Sequence, residues 1–378
     1  MTTCPQLTGN TLWTTPAHLF CSLPSLTSLN LSTNNLQEVS DLGITPSSHN
    51  APCLRTLKHL DLSFNQLRSL PARAFPHLTS LQQLSLEGNQ LNSLEDDSFS
   101  GLALLEMINL SGNHLTALPP AVWDDTPHLQ QIFLQNNHLS VLSPRIFDKM
   151  YAVQVLNLAQ NQLAILQHEI FLHLRKLQAL RLDENQLTDI NGLLTAQNHL
   201  RWLNVSSNKL QWFDYAFIPK SLEMIDLRHN QIEELGNYYQ LKDGFNLKTL
   251  DASSNKIRKL SPSSFLTSLE NIYLNSNHIE EISANTFMQM DNLSRVEIKQ
   301  NSLVTLQLAA LALQPREHSG NSSSYTVAYV EELSYSAAGS FGSALQPREY
   351  SGNSSCYKVA YAEQLTHSAA GSFGSAAK

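Results

Sequence analysis

The sequence predicts an α/β repeat solenoid, a curved horseshoe of stacked turns with a parallel β-sheet along its concave side, followed by a tail of different character. Three observations predict it. The pattern LxxLxLxxNxL has twelve full matches, whose asparagines are Asn34, Asn65, Asn89, Asn113, Asn137, Asn161, Asn185, Asn208, Asn230, Asn255, Asn277 and Asn301. Counted from a partial match at Leu7, Asn10 and Leu12, the asparagines are spaced 24, 31, 24, 24, 24, 24, 24, 23, 22, 25, 22 and 24 residues apart. The chain is 42% hydrophobic and only 15% charged, enough apolar side chain for a large core.

Within one repeat, taken as LQQLSLEGNQL from Leu81 to Leu91, Leu84 and Leu86 alternate with Ser85, the period of a short strand with one buried face. One such strand cannot bury its leucines alone, so leucine-rich turns must stack, with a sheet continuous from about Leu26 to Ile298. The asparagine lies where the chain turns out of the strand. Its amide both donates and accepts, so it can serve backbone groups of its own and the adjacent turn. Ten residues after it stands an aromatic in eight repeats: Phe20, Phe75, Phe99, Trp123, Phe147, Phe171, Phe265 and Phe287. These rings are expected to stack as a spine inside the convex side.

Three stretches break the pattern. The 31-residue spacing contains GITPSSHNAP, read as a loop-side insertion ending at Cys53. Cys21 and Cys53 precede their strands by nearly equal distances on adjacent turns, which puts them within disulfide reach; two buried thiols are the alternative. Around Asn208 to Asn255 the spacing varies and no spine aromatic falls at the usual offset, so Phe213, Tyr215 and Phe217 are read as core aromatics of irregular repeats rather than ligand-stacking rings. After Leu308 the repeats stop. Leu313 to Ala344 recur as Leu345 to Ala376 with seven differences, in a Ser-, Ala-, Gly- and Tyr-rich composition that predicts no stable fold. The expected organisation is a repeat array over 1–312, about thirteen repeats with the first incomplete and no cysteine-rich caps, and two tandem units over 313–378.

The formal charge of −8 and the lack of a Lys/Arg cluster argue against nucleic acid as a partner. No apolar run approaches the roughly 20 residues that cross a bilayer, so no membrane insertion by this chain itself is expected, and Met1-Thr2-Thr3-Cys4-Pro5 does not read as a signal peptide. GxGxxG, GxxxxGK[ST], GxSxG, CxxC and HExxH are missing. In HEIFLH, His168 and His173 are five apart, one too many to share a helical face for zinc, and are read as convex-side polar residues. Neither an enzyme nor a cofactor is expected.

Sequons at Asn30, Asn109, Asn204 and Asn292 lie in the array, with two more at Asn321 and Asn353 in the tail. The first three put asparagine at a strand position facing solvent, where a glycan could be borne. Function in a solenoid tends to occupy its strand face. The partner site is therefore expected between the glycans at Asn109 and Asn204, on Phe133, Gln135, Asn157, Arg181, Asp183 and Glu184, with Phe133 standing where a small polar residue is usual. The competing reading takes Phe133 as a stray surface hydrophobe and the three charges as a solvated group.

Three segments carry a resemblance to a known family: NTLWTTPAHLFCSL from Asn10, WFDYAFIPKSLEMIDLRHNQIEELGNYY from Trp212, and SANTFMQMDNLSRVEIKQNSLVTLQLAAL from Ser283. They resemble the leucine-rich-repeat ectodomains of insect Toll receptors, on the long branch that contains Tollo, over residues 1 to about 312. The resemblance implies a plasma-membrane receptor with this region outside the cell, a transmembrane helix and TIR domain that this chain lacks, and ectodomain dimerisation. It implies protein ligands or another receptor ectodomain as partners, a homodimer among them, and roles in immunity and patterning. A cell-adhesion protein or an intracellular adaptor on the same scaffold are the rival readings.

Overall fold

The computed structural model describes residues 5–16, 19–42, 54–237, 241 and 244–303, with the backbone alone at Cys21. The pairing of Cys21 with Cys53 and the 313–378 tail lie outside the described residues.

Short strands recur once per turn and pair in parallel, in sequence order, as one twelve-stranded sheet from Ser28–Asn30 to Arg295–Glu297. Each strand is three residues long, and its middle residue is aliphatic: Leu29, Leu60, Leu84, Ile108, Ile132, Leu156, Leu180, Leu203, Ile225, Leu250, Ile272 and Val296. The register aligns these residues on every neighbouring pair, so the aliphatics form a continuous row beneath the sheet. All but Val296 are buried. Each turn stacks its apolar positions on the next, and one core cluster runs through the array.

The return side of the turns holds no α-helix among the described residues. It is built from turns and four 3-10 segments, at Phe20–Ser22, Val39–Leu42, Tyr215–Phe217 and Pro262–Ser264. A turn of only 22 to 25 residues leaves too little chain for a longer helix. The spine aromatics lie there and are buried, with Phe99 on Trp123 at 5.7 Å, Phe147 on Phe171 at 6.1 Å and Phe265 on Phe287 at 5.7 Å between ring centres, all stacked.

The asparagines link consecutive turns. Asn137 is typical: its Oδ1 accepts from Leu115 N–H at 3.0 Å, and its Nδ2 donates to Leu110 O of the preceding turn at 3.0 Å and to Leu134 O of its own at 3.1 Å. All twelve make the same two bonds to the preceding turn, so backbone groups that the turn would orphan are satisfied. The residue before each of them is left-handed, with φ between 53° and 64°. Only Gly88 and Gly112 take that conformation without strain; the other ten, from Thr33 to Gln300, hold it against a cost of about 1 kcal/mol each.

In the irregular stretch the missing spine ring is replaced from elsewhere in the turn. Tyr215 is fully buried, meets Phe213 edge-on at 5.0 Å and donates its hydroxyl to Ser264 O at 3.0 Å, 49 residues away. Burial pushes the pKa of its phenol up. Phe213–Asp214 also pairs with Leu235–Gly236 in a separate two-stranded sheet. Phe217 is half-buried against the exposed Trp212, so two of the three aromatics are core and the third belongs to a surface pair.

Candidate partner-binding face

Because the middle residue of each strand points into the core, its first and third residues form two rows on the opposite face. The third row runs Asn109, Phe133, Asn157, Arg181, Asn204, Asp226, Asp251 on successive strands. Side chains in such a row stand about 4.8 Å apart, so each covers its neighbours.

That crowding corrects the sequence-derived site. Phe133, set between Asn109 and Asn157, is only 3% exposed, so it is a packed residue rather than an open anchor. Asn157 and Asp183 are buried as well, at 4% and 3%. Gln135 and Arg181 are half-buried and Glu184 is exposed, so three of the six residues remain accessible. Arg181 grips Asp183 through two bonds of 2.9 and 2.7 Å.

The glycan expectation meets the same correction at two of its positions. Asn109 has no exposed surface and Asn204 only 8%. Oδ1 of Asn109 accepts from Ser111 N–H and Ser111 Oγ–H, and its Nδ2 donates to Glu87, so the atom a glycan would occupy is already bonded. Asp61-Leu62-Ser63 makes the same Asx turn with an aspartate. The asparagine of these Asn-x-Ser triplets thus serves the turn, which Asn157 makes equally with Ala159 in the serine's place. Asn30 is half-buried in an equivalent turn, and Asn292 lies exposed before the last strand.

The first-position row holds what the sequence reading overlooked. Met107, Gln131, Val155, Ala179, Trp202 and Met224 are neighbours across six strands and all are half-buried. From Val155 to Met224 the row is wholly apolar, and Nε1 of Trp202 is covered without a hydrogen-bond partner. The signal was present: these residues stand one place before each strand's buried aliphatic, where Gln83 and Gln131 give the polar alternative.

Beside that stripe lies a group of charges in low dielectric. Arg228 holds Asp226 through bonds of 2.7 to 3.0 Å and reaches Asp251 at 3.5 Å. Hydrogen bonding to Asp226 raises the pKa of Arg228 despite its burial. Burial opposes the charge on Arg181, but its bonds to Asp183 and nearby carboxylates outweigh that and raise its pKa. Desolvation raises the pKa of Asp251, which the Ser253 bonds and Arg228 only partly offset. Three carboxylates, at Asp183, Asp226 and Asp251, thus face two guanidiniums. Among the described residues no set of three His, Cys, Asp or Glu side chains could hold a metal ion, and no helix is long and apolar enough to cross a membrane.

The sequence model of the family described as Leucine rich repeat matches residues 55–115, 111–163, 127–187, 153–210 and 245–303, together more than half of the chain. The chain belongs to the leucine-rich repeat family. The Toll resemblance is met by Toll-like receptor 7 of Drosophila melanogaster, 36% identical over 127 residues, which is 34% of this chain and 9% of that protein. Among solved leucine-rich repeat structures, a chain of the glycosylated Toll–Spatzle complex of Drosophila superposes with a TM-score of 0.63 at 24% identity, covering 79% of this chain and 42% of that one. The TLR13–ssRNA13 complex gives 0.60 at 24% identity, covering 80% and 46%. The chain thus spans less than half of these relatives. At such identities the structures establish a shared fold alone, and since one of the complexes contains RNA, the fold by itself does not choose the partner's class.

Proposed function

We propose that this leucine-rich repeat array is a protein-binding segment of a Toll-type receptor ectodomain, acting outside the cell, and that its partner docks on the sheet face around Trp202. The observation that carries the reading is the half-buried apolar stripe Val155, Ala179, Trp202 and Met224 beside the Arg181, Asp183, Asp226, Arg228 and Asp251 group. Trp, Met and Arg are the side chains over-represented in protein interfaces, where they supply large contact area. Asp183, Asp226 and Asp251 are buried, so a partner meets the half-buried Arg181 and Arg228 and feels the carboxylates through their field rather than by contact. A surface with an excess carboxylate suits a protein that presents a basic residue beside an apolar one, and it repels phosphates. The accessible members of the expected site, Gln135, Arg181 and Glu184, form the rim.

The test is a panel of secreted and cell-surface ectodomains, probed with the full chain and with Trp202→Ala and Met224→Asp. The reading expects a protein partner whose binding falls by about thirtyfold in each variant while the fold is retained. Equal binding by all three, or binding of single-stranded RNA alone that Trp202→Ala leaves intact, overturns it.

A further inference from the structure

On four consecutive turns the residue after the ladder asparagine is exposed, and the row reads Gln90, His114, His138, Gln162. The two imidazoles stack, with ring centres 5.7 Å apart and planes 8° from parallel. Neither ring makes a hydrogen bond or an ion pair among the described residues, so each neutral ring keeps a nitrogen lone pair uncommitted. Other histidines differ: Nδ1 of His199 is engaged with Arg175 O at 2.9 Å, and a ring nitrogen of His77 and of His173 is covered. No charged residue lies within two positions of His114 or His138, nor at the matching positions of the two flanking turns. Two imidazoles therefore share an exposed, uncharged stretch.

We propose that His114 and His138 together bind a divalent transition-metal cation of the copper or zinc kind, which ties two consecutive turns. Imidazole suits these cations, whereas calcium and magnesium favour carboxylate oxygens that this stretch lacks. The spacing admits chelation. With a metal–nitrogen bond of about 2.0 Å, each ring centre stands roughly 3.2 Å from the cation, so two rings at a tetrahedral angle lie about 5.2 Å apart. The observed 5.7 Å is within about half an ångström of that value. The exposed rings need only turn about χ2, a broad torsion, to aim one nitrogen each at a common point. The backbone beneath them is already fixed, because His114 N–H bonds Leu91 O at 2.8 Å and His138 N–H bonds Leu115 O at 2.9 Å, so binding orders little beyond two side chains. Two ligands are fewer than the four of a structural zinc site, so water completes the coordination and the cation exchanges readily. The site shares no residue with the apolar stripe of the sheet face.

Calorimetric titration of the full chain, with any free thiol alkylated, tests it with zinc(II), copper(II) and calcium(II) as separate probes. The expected result is a saturable component at one cation per chain, tighter for copper than for zinc and missing for calcium. His114→Gln and His138→Gln should each weaken it by about tenfold or more, because chelation needs both rings. Glutamine already stands at this place on the flanking turns, so both variants should fold, which circular dichroism checks. The double variant should lose no more than either single one, since each histidine is half of one site. No saturable component, losses that add as for two independent imidazoles, or an equal loss in His199→Gln overturns the proposal. Trp202→Ala should leave cation binding intact, which separates this outcome from failure of the partner-binding reading.

Discussion

Replacing one ladder asparagine should cost far more than replacing an asparagine one row away, and Asn161 with Asn157 makes the comparison. Oδ1 of Asn161 accepts from Leu139 N–H at 3.0 Å, and its Nδ2 donates to Leu134 O at 3.0 Å. Its other two acceptors keep partners without it: Leu158 O still receives Asn185, and Ala159 O still receives Asn136 N–H. Leu134 O keeps Asn137 Nδ2 at 3.1 Å, so Asn161→Ala orphans one buried backbone group, Leu139 N–H, at about 1–3 kcal/mol, and removes one further bond worth about 1 kcal/mol, for an expected loss of about 3 kcal/mol. Asn157 accepts only from Ala159 N–H at 3.1 Å, so Asn157→Ala should cost about 1 kcal/mol. Urea unfolding of the full chain, followed by circular dichroism, measures both. A one-dimensional stack distributes the damage to adjoining turns, so the Asn161 variant should also unfold less cooperatively. Equal midpoints for the two variants would refute the reasoning, because the ladder would then contribute no more than a surface turn.

Three further outcomes follow from the same geometry. Phe133→Ala should lower stability by about 3 kcal/mol, since the ring is packed; an unchanged melting temperature would return Phe133 to the surface. Gly88→Ala should destabilise by about 1–2 kcal/mol, because φ is +63° and the new Cβ would lie 2.5 Å from the Phe64 ring; in a Phe64→Ala background the cost should fall to the backbone strain alone, and an equal cost in both backgrounds would remove the clash argument. Asp251 has a folded pKa above its ordinary value, so the folded state holds its proton over a range where the unfolded state has released it, and stability falls as pH rises through that range. Asp251→Asn keeps the Asx turn, as Asn204 does with Ser206, and should flatten this decline in denaturation midpoints measured from acid to neutral pH; an unaltered slope would assign the decline to other groups.

What the sequence made legible is what the period imposes. Leu84, Asn89 and Phe99 recur at fixed offsets because each turn must present the same strand, the same amide and the same ring to the next, so any turn announces all of them. The burial of Phe133 was not legible, because it depends on Asn109 and Asn157, which lie 24 residues away on either side. The left-handed residue before each ladder asparagine was concealed because only Gly88 and Gly112 advertise it, whereas Phe64 and His229 adopt it under the constraint of the ladder. The sequons at Asn30, Asn109 and Asn204 coincide with a turn that an aspartate serves equally well at Asp61, so composition alone could not separate a glycan from a structural bond. The stripe through Trp202 lies two residues before the expected row on each strand, on the same face, so the sequence reading chose the right side of the sheet and the wrong line along it.

Protein binding at the sheet face around Trp202 is measured most directly as the affinity of the full chain and of Trp202→Ala for an ectodomain partner recovered from the panel, with Ile165→Glu, an exposed position outside the strands, as the control. Trp202→Ala should bind about thirtyfold more weakly and Ile165→Glu as well as the unaltered chain. Full affinity in the Trp202 variant, or a loss confined to Ile165→Glu, would contradict it.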